Sequence, residues 1–515
     1  MHAPSWLQGK LLSEIVRAYA HIRSPHSYWH AAALTLEPRL SSKWIANIAF
    51  FGLTISLPVP HASFLLSGTD FYHPSPPALS TILENILPSV NIKAHLSRGL
   101  QLPSPLVQHC AALALAKCLT KFGAVARSMR TAAAALEEDG EEGQWSRRAR
   151  EVEREVARRV PDFQVVVAFG QQKTAEMQAA KDQGAVAKAA LLAESAQRLL
   201  WLYHEHLPAL VSETRFDVGK LLQGIQESVS QDADGTTPHA GLVALRQLHV
   251  LRLLRESEDF SWSSKAGSRG NLGILLRLYI RTSQRPMKAA VANLLRQTLS
   301  TTAAFQHDPD EVDLWLRALP VTKRFPGATA PDGTPLADEG EAVVALLDDC
   351  LQRCIKTPYR YLEELQALCA PQDAMAADGA RPQDPALLPS PMLVTVLEQV
   401  QAKANGNIFA PSDALAVVSF VRRLALGLAS KVAELEIAEA IASRICALIL
   451  EEEYYGESVC KAVARECRFV AAVRGQLASP TAYENMDNEN EDVKQVDVKQ
   501  VLNRLQDLVS GGFHR

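Results

Sequence analysis

The amino-acid sequence predicts an all-α fold, an extended α-solenoid of degenerate HEAT- or armadillo-like helical repeats. Three observations carry this. Apolar residues recur at helical spacing along nearly the whole chain, while strict alternation is rare. The intervening segments are short, polar and rich in Gly and Pro, as connections between helices are. The chain has 515 residues, and a single compact core of that size is uncommon, whereas stacked helical pairs extend by adding neighbours. An irregular all-helical globule is the rival arrangement.

Taken in order, Leu11, Ile15 and Ala18 share one helical face, with Leu12, Tyr19 and Ile22 beside it. The most apolar run, Ile45 to Leu57, spans 13 residues, is too short to cross a bilayer and stops at Pro58 and Pro60. From Ser104, SPLVQHCAALALAKCLTKF places Ser at the N-cap and Pro at the first helical position. Its middle is apolar almost all round, which predicts neighbours on two or more sides. The stretch 184–207 is a long Ala- and Leu-rich helix ending near Pro208. Stretches 240–255, 286–305, 311–319, 341–356, 391–403, 411–433 and 435–455 read the same way. The best strand candidate, 163–169, reads equally well as the buried turn of a helix.

The polar breaks fall at 68–77, 137–143, 230–241, 257–270, 325–340, 371–391 and 484–492. Loops 137–143, 325–340, 371–390 and 484–495 are expected to be the most mobile. The chain divides into a basic helical-repeat section at 1–135, a middle section at 136–370, a further repeat section at 371–480 and an acidic loop with a terminal helix at 481–515.

A hydrophobic content of 47% with only 26 Gly excludes a collagenous or wholly disordered chain. The net charge of -4 conceals an asymmetry. Residues 1–135 hold 11 Lys or Arg against four acids, and the remainder holds 42 against 53. An anionic partner is therefore permitted at the basic end. Eight Cys without a CxxC pair fit a reducing compartment. The start, MHAPSWLQGKLLSEIV, lacks the basic-then-apolar order of a secretory signal, so a soluble intracellular protein with no membrane contact is expected.

Tests for an active site come out negative. Gly170-Gln-Gln-Lys173-Thr174 and Gly219-Lys220 lack the spacing of a phosphate-binding loop. There is no GxGxxG, GxSxG or HExxH. His204 and His206 are two residues apart, so a helix points them to different sides. Cys350 and Cys354 continue the apolar stripe of Val343, Leu347 and Leu351 and are expected to be buried thiols. Asp348 and Asp349 are adjacent and splayed rather than paired. No catalytic residue, metal, cofactor or small-molecule substrate is predicted, and the protein is not expected to be an enzyme.

The residues suited to RNA are basic. Lys93, Arg98, Lys117, Lys121, Arg127 and Arg130 fall within 38 residues that contain no acid. Such groups would grip phosphates without reading sequence. Lys117 and Lys121 lie in the apolar helix and have the alternative of snorkelling past packed neighbours. Arg147, Arg150 and Arg154 recur at helical spacing in WSRRAREVEREVARR. A salt-bridged face, with Glu151 on Arg154 and Glu155 on Arg158 or Arg159, is the alternative there. The five acids at 137–142 have the means to shield that face. Lys356 and Arg360, with Tyr359 and Tyr361, flank a helix junction at Thr357-Pro358 that reads either as an RNA contact or as a packed, salt-bridged corner. Phe71, Tyr72 and His73 form a loop stiffened by Pro74, Pro76 and Pro77, suited either to recognition or to capping the core.

At these residues the chain resembles a known family. The segment GTDFYHPSPPALSTILENILPSVNIKAHLSRGLQLPSPLVQHCAALALAKCLTKF (68–122) is similar to a characteristic stretch of the nucleolar pre-ribosomal-associated protein 1 family. The block from Trp44 to Pro58, DEVDLWLRALP (310–320) and LLDDCLQRCIKTPYRYLEEL (346–365) fit the same pattern in the same order, while much of 371–515 departs from it. Members are very large helical-repeat proteins, so the chain resembles an amino-terminal portion or an internal piece of one. The resemblance implies a non-enzymatic scaffold of the nucleus and nucleolus in early large-subunit (pre-60S) ribosome assembly and rRNA processing. The partners it implies are pre-rRNA, small nucleolar RNPs, a related nucleolar helical protein, a DEAD-box RNA helicase and small assembly factors. A protein-only scaffold or a transport adaptor shares the architecture and is the alternative.

Overall fold

A computed structural model describes residues 36–428 and 460–462, apart from 226–239, 321–338, 370–387 and short breaks elsewhere. The stripe at 11–22, the helix at 435–455, most of the loops 325–340 and 371–390, the loop 484–495 and the section 481–515 lie outside the described residues. The chain forms two compact units, one of residues up to 221 with 234–260, the other of 222–233 with 261 onward.

The first unit holds α1 (Ser42–Ile55), α2 (Leu79–Ile86), α3 (Ile92–Gln101), α4 (Pro105–Ala135), α5 (Gln144–Arg159), α6 (Phe163–Ala179), α7 (Gln183–His206), the short α8 (Pro208–Ser212) and α9 (Ala240–Glu256). Helix α4 is its spine, packed on α1, α3, α5 and α7. That explains its all-round apolarity, as Val107, Ala111, Leu115, Cys118, Leu119, Phe122 and Met129 are all buried. Among the described residues α4 alone is long and apolar enough to cross a membrane, and 61% of its most apolar window is buried inside the unit. Ser104 does stand at its N-cap and Pro105 at the first position, but the Ser104 side chain makes no capping bond. The segment 163–169 is helical, the opening of α6. Phe163, Val166, Phe169, Gly170 and Lys173 turn inward, and that three-to-four spacing outweighs the β propensity of Val165 to Val167. Tyr203 on α7 ties the start of α6 down, its hydroxyl donating to Pro161 O at 2.8 Å.

Glu137 (φ 52°) and Gly140 (φ 43°) take left-handed backbone to reverse the chain. Glu138 then accepts from Trp145 N at 2.8 Å and Ser146 N at 3.0 Å, closing the open amides at the start of α5.

The second unit holds α10 (Asn271–Arg281), α11 (Arg285–Ser300), α12 (Glu311–Ala318), α13 (Glu339–Lys356), α14 (Pro358–Cys369), α15 (Met392–Asn405) and α16 (Pro411–Leu428). Helix α13 packs on α10, α15 and α16, and α12 packs on α16 and α11. Cys350 and Cys354 are both 0% exposed, as the stripe predicts. At the junction before α14, the Thr357 hydroxyl donates back to Arg353 O on α13. Glu311, 1% exposed, is held by Trp315 Nε1 at 2.9 Å and Ser390 N at 2.9 Å, which carries the chain from α12 to the loop before α15. Among the described residues sheet is confined to the two-residue pair Lys265–Ala266 and Arg269–Gly270. An isolated bridge joins Leu65 to Tyr72.

Candidate nucleic-acid interface

Helix α5 is amphipathic because Trp145, Val152 and Val156 are buried at positions i, i+7 and i+11, while Arg147, Arg150 and Arg154 fall at i, i+3 and i+7 on an exposed face. The three arginines line one open cleft of about 580 Å³. Its remaining walls are Glu153 and Ala157 of the same helix and Leu207, Ala209 and Leu210 at the end of α7 and on α8. The expected pairing is corrected in part. Glu151 pairs with Arg148 at 3.4 Å rather than with Arg154, and Glu155 pairs with Arg158 at 2.7 Å. Arg154 therefore faces the cleft. Arg147 reaches Glu142 O at 3.5 Å.

A second basic group converges on the same end of α7. Helix α4 brings Arg127 and Arg130 beside His206, whose ring stands 6.2 Å from Phe122 in edge contact. Burial, with Arg127 and Arg130 behind it, pushes His206 down to about 4, so the ring is neutral at physiological pH. Gly123 makes room for it, because a Cβ there would run into His206 Cε1. Burial and the nearby Glu256 raise the Glu205 carboxyl, opposed by Arg255, Arg127 and Arg252. Arg127, Arg252 and Arg255 thus act on Glu205 and Arg130 on His206, with Arg255 itself paired to Glu256 at 2.6 Å, and Leu207, the next residue after His206, is already a wall of the α5 cleft. Arg252 lies 4.8 Å over the Trp201 ring. Arg252 and Arg255 escaped the sequence reading because AGLVALRQLHVLRLLR reads first as core; their three-residue spacing was the available signal.

Within the first unit, the other basic residues are not brought to this surface. Lys93 pairs with Asp162 at 2.7 Å and Arg98 with Glu37 at 3.0 Å, so a stretch without acids in sequence has acids in space. The Lys117 arm lies against Gly52, and burial lowers its amine. Lys121 is 8% exposed, donates to Leu57 O and Pro58 O just beyond α1, and is pushed down by burial to about 8. Lys356 and Arg360 belong to the second unit. Lys356 is exposed, while Arg360 donates to Glu364 at 3.0 Å and Glu398 at 3.1 Å, with its guanidinium over Tyr361. Of the loop residues, Tyr72 stands 6.4 Å from the Trp145 ring, His73 O accepts from Trp145 Nε1 at 3.0 Å, and Phe71 points outward. His204 sits among Phe163 and Phe216, turned from His206. Among the described residues no three His, Cys, Asp or Glu are grouped to hold a metal.

Helices packed in series on their neighbours define a HEAT- or armadillo-like helical-repeat protein. The comparisons with known proteins agree. A family profile described as "URB1, central HEAT repeat domain" matches residues 257–462, extending past residue 365, where the resemblance in the sequence fades. The chain is 23% identical over 409 residues to nucleolar pre-ribosomal-associated protein 1 of Mus musculus, covering 74% of this chain and 17% of that protein. It is 22% identical to the Homo sapiens protein of that name over 74% of this chain and 17% of the relative. For the Saccharomyces cerevisiae protein the figures are 20%, 69% and 18%. The likeness is distant and consistent across three species, and the chain spans less than a fifth of each relative. No solved structure matches.

Proposed function

We propose that the chain is a non-enzymatic scaffold of nucleolar pre-60S assembly that holds pre-rRNA by its phosphates on the first unit and presents its other faces to assembly factors. The observation that supports this best is the open cleft lined by Arg147, Arg150 and Arg154, with Arg127 and Arg130 converging on the same end of α7. Guanidinium groups at helical spacing suit successive phosphates, which position RNA without reading its sequence. The relatives' name, nucleolar and pre-ribosomal, supplies the setting. A DEAD-box helicase, a related nucleolar helical protein and small nucleolar RNPs are the partners this reading expects. A protein-only scaffold or transport adaptor is the second reading. It is favoured by the pairing of Lys93, Arg98 and Arg360 with carboxylates of the protein itself.

RNA–protein crosslinking on the purified assembly, mapped to residues and nucleotides, tests the choice. Crosslinks on α5 and the 127–130 turn of α4 support the first reading. Crosslinks elsewhere only, with unchanged RNA affinity in an Arg147/Arg150/Arg154→Ala variant, would promote the second.

A further inference from the structure

The turn before α2, packed against the start of α5, carries an aromatic ring on a hydrogen-bonded mount. Leu65 bridges Tyr72, Leu66 N donates to Phe71 O at 2.9 Å, and His73 N donates to Phe64 O at 2.8 Å. Thr69 closes the tip, its amide and hydroxyl both 3.0 Å from Leu66 O, and Gly68 takes the left-handed backbone (φ 77°) that the reversal needs. Phe64 and Tyr72 turn inward onto Trp145, the second residue of α5. Phe71, one residue from Tyr72, is left 74% exposed. A hydrogen-bonded turn that packs Phe64 and Tyr72 on Trp145 and holds Phe71 in water is arranged to offer the Phe71 ring to a partner.

We propose that Phe71 is a stacking platform for an unpaired base, so that the first unit prefers single-stranded to duplex RNA. This rests on the reading that the α5 arginines hold the RNA backbone. The occupant follows from charge and from shape. The mount is anchored on the helix that presents Arg147, Arg150 and Arg154, which favours a polyanion over an apolar peptide. A duplex keeps its base faces stacked on one another, whereas a single strand offers them to aromatic side chains. The apolar wall of Ala157, Ala209 and Leu210 suits nucleobases passing the cleft better than a fully hydrated duplex backbone.

The test uses the full chain with three probes: a mixed-sequence RNA single strand without self-complementarity, the same strand with abasic sugars, and a duplex of equal length. Phe71→Ala is expected to weaken binding of the single strand by about tenfold. Its affinities for the abasic strand and the duplex, and the salt dependence of binding, should stay at the wild-type values, and Phe71→Trp should restore single-strand binding. Wild-type affinity of Phe71→Ala for the single strand would overturn the platform and leave the ring to a protein partner. In that event, weakened binding of all three probes by Arg147/Arg150/Arg154→Ala would still uphold the backbone reading. Unchanged binding by that variant too would remove both.

Discussion

Lys121 shows how a residue's environment decides its role. Its ammonium sits under the carbonyls of Leu57 and Pro58, and burial holds its pKa near 8 against an ordinary 10.5. A lysine depressed in the folded state binds fewer protons there than in the unfolded chain once the pH exceeds about 8. The burial penalty is therefore fully present at neutral pH, and stability should rise as the pH climbs from about 8 to 10.5, then level off. Partial solvent screening and the two carbonyl acceptors limit the gain to roughly 1–2 kcal/mol. Chemical denaturation across that range should show the rise in the wild type and lose it in Lys121→Met, with RNA affinity unchanged. Sequence could place Lys121 in an apolar helix but not see the carbonyls that receive it, which lie more than 60 residues away. The same limit hid Asp162 and Glu37, the partners of Lys93 and Arg98. The burial of Cys350 and Cys354 was legible because a periodic stripe is local information.

Helices were legible where period and breakers agree, as at α4, α7 and α13, and even the ambiguous 163–169 had a helical reading open to it. How the elements cap and cross one another was not. Gly143 offers no side chain at the start of α5, and Glu138 serves from before the turn. Glu138→Ala should cost about 1 kcal/mol, the ordinary value of a lost cap, and should loosen amide protection in the first turn of α5. Hydrogen exchange checks both, and unchanged protection at Trp145 and Ser146 would count against the capping role. Gly123 sets the approach of α4 to the end of α7. Gly123→Ala should destabilise by roughly 1–3 kcal/mol through its clash with the His206 ring, despite the better helix propensity of Ala. Adding His206→Ala should recover part of that loss in a double-mutant cycle.

At the scale of the molecule, a net charge of -4 gives no general attraction for nucleic acid, so any RNA binding must come from local surface. The basic island read from sequence divides in the fold. Lys93 and Arg98 pair with Asp162 and Glu37, whereas Arg127 and Arg130 lie near the end of α7 with Arg252 and with Arg255, which is paired to Glu256. That division separates a diffuse charge effect from a site. If binding followed total charge, Lys93→Ala with Arg98→Ala would reduce it nearly as much as removing three arginines from α5. If the cleft binds the strand, the pair should leave affinity within about twofold. Arg147/Arg150/Arg154→Ala should instead lower the slope of log affinity against log salt by about 2, since each phosphate neutralised on a single strand contributes roughly 0.7. The titration is made on the full chain at matched ionic strengths, with circular dichroism confirming that helix content is kept. Equal losses from the two variants would assign the binding to net charge and withdraw the cleft.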